Sequence, residues 1–274
     1  MSRTCLMVID VGNTNVSLGV FDYESDEAVL AHHWRIGTHR EHTSDEVAIA
    51  LHALFQQADR RIDEVSDVMI SSVVPPLLPI WERVCTKLFE TPPMIVGPGI
   101  KTGMPVRYEN PREVGADRFV NAVAAFDMMG GPVIAVDFGT ATTFDCVSEK
   151  GEYLGGAIFP GIHVSMEALF DRASMLHRVE IARPKSVIGR TTTASIQSGL
   201  LYGYAGMVDS MVHRIQDELG PESRVLATGG LASRIATETK TIERVEPFLT
   251  LEGLRILFEK NRPDRGEARK ENES

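Results

Sequence analysis

The chain has few cysteines, no surplus of positive charge and no long hydrophobic run, and each shortage removes a class of function. Cys5, Cys85 and Cys146 are odd in number, widely spaced and form no C-x-x-C pair. A disulfide framework or a cysteine zinc site is thereby disfavoured, and buried, inert thiols in a reducing, cytoplasmic compartment are expected. Lysine and arginine number 28 against 38 aspartates and glutamates, a formal net charge of −10. That balance repels nucleic acid and anionic membranes on average, while leaving room for a local basic pocket that takes a small anion. The apolar run from Cys5 to Ile9 ends at Asp10. It is too short for a signal-peptide core or a membrane span and reads as a strand.

The 274 residues, 43% hydrophobic and 24% charged, suit two globular domains of ordinary size. Strand-like runs at 5–11, 15–22, 28–36, 65–74 and 94–96 alternate with helical spacing that starts at Ser44, the expected N-cap, and with a second helix over 77–89. A further helix is expected from about Ala116 through Phe126, a strand over 153–160, and a long helix from Thr191–Thr193 to a stop at Gly220. Small residues along that long helix (Ser195, Ser198, Gly199, Gly203, Ala205, Gly206) predict close packing against another backbone. A strand at 225–227 leads into Thr228-Gly229-Gly230, and a last helix covers 251–260. The charged residues after it are expected to form a disordered tail. Alternating strands and helices indicate an α/β architecture.

One pattern occurs twice. VIDVGNTNVSLGVFD, from Val8 to Asp22, is a strand, an Asp-x-Gly tip with small polar residues, and a returning strand. VIAVDFGTATTFD, from Val133 to Asp145, repeats it: Asp10 to Asp137 and Gly12 to Gly139 are both 127 residues. A single tip is explained as a hairpin turn. A pair at half-chain spacing, with Thr228-Gly229-Gly230 as a third glycine tip, points to nucleotide binding. Glycine admits the main chain close to phosphate, and backbone N–H groups with Asn13, Thr14 and Asn15 supply donors. An aspartate at a strand end can hold Mg²⁺ together with substrate phosphates, and phosphoryl transfer asks for little beyond positioning and charge neutralisation. Between the tips, Tyr108 to Arg118 contains an Asn-Pro turn and Gly115 before a helix. Asp117 there has a sufficient structural explanation in the helix dipole, and Arg118 in a surface ion pair.

The chain resembles the type III pantothenate kinases, within the actin-like ATPase and sugar-kinase superfamily. The matching pieces are DVGNTN at Asp10–Asn15, SSVVPPL at Ser71–Leu77, NPREVGADRFVNAVAA at Asn110–Ala125 and VDFGTATTFD at Val136–Asp145. GGAIFPGI at Gly155–Ile162, TTTASIQSG at Thr191–Gly199 and ATGGLA at Ala227–Ala232 follow in family order. The resemblance implies duplicated actin-like (ribonuclease H-like) α/β domains around a central nucleotide cleft, at 1–115 and 116–262, with 263–274 as the tail. It implies ATP-dependent phosphorylation of pantothenate to 4′-phosphopantothenate, the first step towards coenzyme A.

Residue by residue, the resemblance assigns the ATP phosphates to Asp10, Val11, Gly12, Asn13, Thr14, Asn15, Val16 and Ser17, with Thr140 a further ATP contact and Asp10 near Mg²⁺. Asp117 matches the general base for the pantothenate hydroxyl. Tyr108, Gly115, Ala116, Asp117, Arg118 and Thr192 match pantothenate contacts, and Asp137 matches the ligand of a monovalent cation, K⁺ or NH₄⁺. A homodimer is implied, in which the second subunit contributes to the pocket. Thr191 stands where family members usually carry asparagine, so the start of the long helix departs from the pattern. Another small-molecule kinase of the superfamily, or a non-catalytic binding protein on the same fold, remains the alternative.

Overall fold

A computed structural model of the chain describes residues 5–24, 27–173 and 175–262. The expected tail at 263–274 lies outside the described residues. The chain forms two compact units, one comprising the residues up to Gly103 with Gly115–Val123 and those from Thr250, the other Met104–Val114 with Ala124–Leu249.

In the first unit, β1 (Cys5–Val11), β2 (Asn15–Glu24), β3 (Glu27–Gly37), β4 (Val65–Ser72) and β5 (Met94–Ile95) form one sheet in the order β3-β2-β1-β4-β5. Helices α1 (Ser44–Gln57) and α2 (Leu78–Leu88) cover one face, where Met7, Ile9, Leu18 and Ile70 pack against Leu51, Phe55 and Trp81. The N-cap of α1 is Thr43, not the expected Ser44. Its hydroxyl accepts the Glu46 N–H at 3.3 Å while Glu46 accepts the Thr43 N–H at 2.8 Å, a reciprocal box that Ser44 cannot close at this spacing.

In the second unit, β6 (Val133–Phe138), β7 (Ala141–Val147), β8 (Tyr153–Pro160), β9 (Arg224–Thr228) and β10 (Arg244–Val245) form the sheet β10-β9-β6-β7-β8. Reversed, this is the first order again, β8-β7-β6-β9-β10. In both sheets the first two strands are antiparallel neighbours, the first and fourth parallel, the fourth and fifth parallel. The repeat seen in the sequence is therefore a repeat of topology, and the protein has a duplicated actin-like α/β fold. Helix α3 (Ala116–Met129) belongs to the first unit through Val123 and to the second from Ala124.

Helices α4 (Ile162–Arg172), α5 (Thr192–Leu219), α6 (Ala232–Ala236) and α7 (Leu249–Asn261) complete the chain. Ile196, Leu200, Leu201, Tyr204, Val208 and Val212 of α5 pack on Val136, Phe138 and Phe144 of the second sheet. Thr191 caps α5 by accepting the Ala194 N–H at 3.1 Å, and Gly220 ends it with φ +125°. Three of the small residues find no partner among the described residues of this chain: a Cβ at Gly199, Gly203 or Gly206 would meet nothing within 4 Å. These glycines, spaced at i, i+4 and i+7, face open space within this chain, while the apolar stripe beside them does the packing.

Candidate functional site

The first tip is shaped by its backbone. The β1–β2 register pairs Asp10 with Ser17 and Val11 with Val16, leaving Gly12–Asn15 as the turn. Gly12 donates to the Asn15 carbonyl at 3.0 Å, and a Cβ on Gly12 would lie 2.9 Å from that oxygen. Thr38, just after β3, clamps the turn by donating its hydroxyl to the Gly12 carbonyl at 2.7 Å and its N–H to the Thr14 carbonyl at 2.9 Å. Asn13 and Thr14 are exposed at the tip. Val11 and Val16 are buried in the core, so only their backbone can serve a phosphate.

Parallel pairing of β1 with β4 sets Asp10 beside Ser71. The Ser71 hydroxyl, fully buried, donates to Asp10 Oδ1 at 2.5 Å. Asp10 keeps some accessible surface, yet lost hydration pushes its carboxyl up to about 7. The Ser71 hydrogen bond opposes that rise, and the nearby negative charge of Asp117 adds to it. Two carboxyl groups from positions 107 residues apart thus share one electrostatic environment at the mouth of the first sheet.

Asp117 lies in the first turn of α3. Its Oδ1 accepts the Arg118 N–H at 2.8 Å, and a Cβ on Gly115 would come within 2.6 Å of the same oxygen. Glycine before the helix therefore makes room for the carboxylate to fold over the helix end. Burial raises the Asp117 pKa, opposed by the Arg118 N–H and the Arg118 guanidinium charge. A carboxylate moved upward in this way is a better proton acceptor near neutral pH than a solvated one.

The second tip repeats the plan with one residue fewer. Asp137 pairs with Thr143 across β6–β7 and with Thr228 across β6–β9, as Asp10 pairs with Ser17 and Ser71. Gly139 donates to the Ala141 carbonyl at 3.0 Å. Gly161, just after β8, donates to the Thr140 carbonyl at 3.1 Å in the place that Thr38 occupies in the first unit. A Cβ at Gly161 would sit 2.3 Å from that carbonyl oxygen. Gly229, with φ +95°, brings the turn after β9 against Asp137: a Cβ there would lie 2.6 Å from Oδ1. Thr140 is exposed at the end of the tip.

Tyr108 belongs to the second unit and is partly exposed, with its ring 6.5 Å from that of Tyr153. Thr192 begins α5 and lines an open cavity of about 730 Å³ with Arg190, Thr191, Leu169 and Leu176. Tyr108 is not among the residues lining it. Sequence reasoning gave Ser71, Thr38 and Gly161 no part in either tip. Ser71 was legible as the polar end of a strand and Gly161 as the residue after one, each within a family motif without an assigned role, and Thr38 only as a residue following a strand. Among the described residues no three His, Cys, Asp or Glu side chains gather as a metal cage, and no helix is long and apolar enough to cross a membrane.

Solved structures with the same arrangement include the ethanolamine utilization protein EutJ from Carboxydothermus hydrogenoformans (TM-score 0.52, 13% identity, covering 94% of this chain and 91% of that one). Component A of the Acidaminococcus fermentans (R)-2-hydroxyglutaryl-CoA dehydratase is similar too (TM-score 0.50, 13% identity, 94% and 100% covered). At these identities the likeness concerns fold alone. Sequence comparison is sharper. A type III pantothenate kinase from Geobacter sulfurreducens is 56% identical over 257 residues, covering 94% of this chain and 99% of its own. One from Halalkalibacterium halodurans is 51% identical over 256 residues, covering 93% and 99%. The family model described as type III pantothenate kinase matches residues 6–214, a span that includes both tips, Asp117 and Thr192. With that match and relatives above half identity over nearly their whole length, the chain belongs to the type III pantothenate kinase family.

Proposed function

We propose that the chain transfers the γ-phosphoryl group of ATP to the primary hydroxyl of pantothenate, with Asp117 as the general base. The hydroxyl oxygen forms the new bond to phosphorus, its proton passes to the Asp117 carboxylate, and the bond from phosphorus to the ADP oxygen breaks. The observation that carries this reading is the neighbouring pair Asp10 and Asp117, both moved upward by burial, beside a glycine-shaped tip. The two carboxylates take different work: Asp117 accepts a proton, and Asp10, at the end of β1 two residues before Gly12, serves the phosphate side.

ATP phosphates are assigned to the Asp10–Ser17 tip and to Thr140. For Val11 and Val16 the contribution is restricted to backbone groups, because both side chains are core. Asp10 fits Mg²⁺: a strand-end carboxyl with its hydration removed and another carboxylate nearby gains from a cation that also takes phosphate oxygens. Mg²⁺ bound there would neutralise charge on the transferred phosphoryl group. Asp137, crowded by the Gly229 backbone, is the assigned ligand of K⁺ or NH₄⁺. Tyr108, Gly115, Ala116, Arg118 and Thr192 are assigned to pantothenate, Arg118 as partner of its carboxylate.

We further infer a homodimer. Edge strand β8 exposes Leu154, Ile158 at 65% and Phe159 at 42%, and the open Gly199–Gly203–Gly206 face of α5 would admit a close backbone from a second copy. A reducing, cytoplasmic setting accords with three buried cysteines that form no disulfide. The test is ADP release with Mg²⁺, ATP and pantothenate in K⁺ and again in Na⁺. Pantothenate-dependent turnover that is faster in K⁺, and about 10²–10⁴-fold slower in Asp117→Asn with little change in the KM for ATP, is the expected result. No turnover in either salt would sink the kinase reading, and equal rates in both would remove the role of Asp137.

A further inference from the structure

Asp145 is a fully buried carboxylate on β7 that none of the assignments above uses. It accepts the Tyr153 hydroxyl at 2.8 Å on Oδ1 and the Thr143 hydroxyl at 3.2 Å on Oδ2. Tyr153 is itself fully buried, and its backbone does a second job. Its N–H donates to the Pro105 carbonyl at 2.8 Å, and its carbonyl accepts the Arg107 N–H at 2.8 Å. These bonds lay residues 105–107 along the start of β8 as an added parallel bridge, Val106 to Tyr153. Tyr108 follows directly. Its ring rests on the Tyr153 ring at 6.5 Å and 42°, and its edge lies where a Cβ on Gly155 would be, 3.1 Å from Cε2.

The Tyr108 ring thus lies against the Tyr153 ring and beside the bare backbone of Gly155, two residues beyond it. We propose that Asp145 and Tyr153 form a positioning pair that sets the Tyr108 ring for pantothenate. Asp145 fixes the Tyr153 hydroxyl, Tyr153 fixes the 105–107 segment and supports the ring, and Gly155 leaves the space that the ring fills. The sequence distances, 37 residues from Tyr108 to Asp145 and 45 to Tyr153, hide this arrangement from any local pattern. The proposal rests on Tyr108 contacting pantothenate.

The reason a hydroxyl is needed is energetic. Removing the donor to one oxygen of a buried carboxylate costs that hydrogen bond in a desolvated setting, even though Oδ2 keeps the Thr143 hydroxyl, and favours a shift of the elements around it. Tyr153→Phe keeps the ring and its volume but deletes the donor, so β7 and β8 readjust and the support under Tyr108 moves. Asp145→Asn retains an oxygen that accepts the same hydroxyl, and its NH₂ can donate to Thr143.

Steady-state ADP-release kinetics on the full chain, with thermal melting as a check of folding, test this. Tyr153→Phe is expected to raise the KM for pantothenate by about ten-fold, with kcat and the KM for ATP within about two-fold. Asp145→Asn should stay close to the parent, and Gly155→Ala should raise the pantothenate KM by pushing the Tyr108 ring. Tyr108→Ala separates the two ideas. If it raises the pantothenate KM while Tyr153→Phe leaves it unchanged, or if Tyr153→Phe alters both substrates alike, the positioning role is overturned and the Tyr108 contact stands. If Tyr108→Ala leaves the pantothenate KM unchanged, the contact fails and the positioning role falls with it. Should Tyr153→Phe not fold, Gly155→Ala decides: an unchanged pantothenate KM overturns the proposal.

Discussion

Replacing Asp10 with asparagine isolates the electrostatic cost of the first tip. Asparagine keeps the volume and can still accept the Ser71 hydroxyl, but it cannot ionise. In the folded chain the Asp10 carboxyl is raised from 3.8 to about 7, chiefly by burial. A carboxyl raised on folding binds its proton more tightly in the folded state. Its contribution to stability is therefore fullest below about 3.8 and is lost as pH climbs to about 7. At about 1.4 kcal/mol per pH unit, that interval is worth about 4 kcal/mol. Thermal and urea unfolding in EDTA, without nucleotide, from pH 4 to 8 is the assay. Relative to the parent, Asp10→Asn should gain stability across this range, by up to about 4 kcal/mol or on the order of 10 °C above pH 7. Groups that do not interact with Asp10 cancel in the difference. Mg²⁺ should narrow the gap above pH 7 and have little effect on it near pH 4. A parent–variant difference that does not change with pH would refute the reasoning, whatever its size.

Gly229→Ala places a methyl 2.6 Å from Asp137 Oδ1 at a φ of +95°, so a loss of about 1–3 kcal/mol in urea unfolding and a weaker response to K⁺ are expected. A variant as stable as the parent with the same K⁺ response would show that the turn after β9 does not shape the second tip. Thr191→Ala removes the cap of α5 and should cost about 1 kcal/mol by the same measurement, whereas Thr191→Asn, which keeps a capping side-chain oxygen, should be neutral within a few tenths. An equal loss in both would show that the Thr191 hydroxyl acts otherwise than as a cap.

Elements with a strong local period were legible from the residues. β1, β2, α2 and α5 lie within one or two residues of their expected bounds, because alternation, capping hydroxyls and a terminal glycine are all local signals. α4 was not foreseen, although Ile162, Met166, Leu169 and Phe170 recur at helical spacing; only Ile162 of its 11 residues is buried, and the segment is short. β10 has two residues and pairs only with β9, which is too little to show any period. Thr43 was passed over for Ser44 because two adjacent hydroxyl residues look alike until the Glu46 side chain is seen to reach back to one of them.

The amino-acid order alone determined that the chain contains two Asp-x-Gly hairpins 127 residues apart, and that they belong to one kind of kinase. That much is local chemistry repeated. What surrounds each aspartate was decided only by tertiary structure. Ser71 reaches Asp10 across 61 residues and Gly229 reaches Asp137 across 92, each through a parallel strand pair. Parallel strands need a long crossover between them, so their register is set by packing over the whole sheet and leaves no mark in any short stretch. The same holds for Asp145, Tyr153 and Tyr108: each residue is unremarkable in its own segment, and only the added bridge on β8 makes them neighbours.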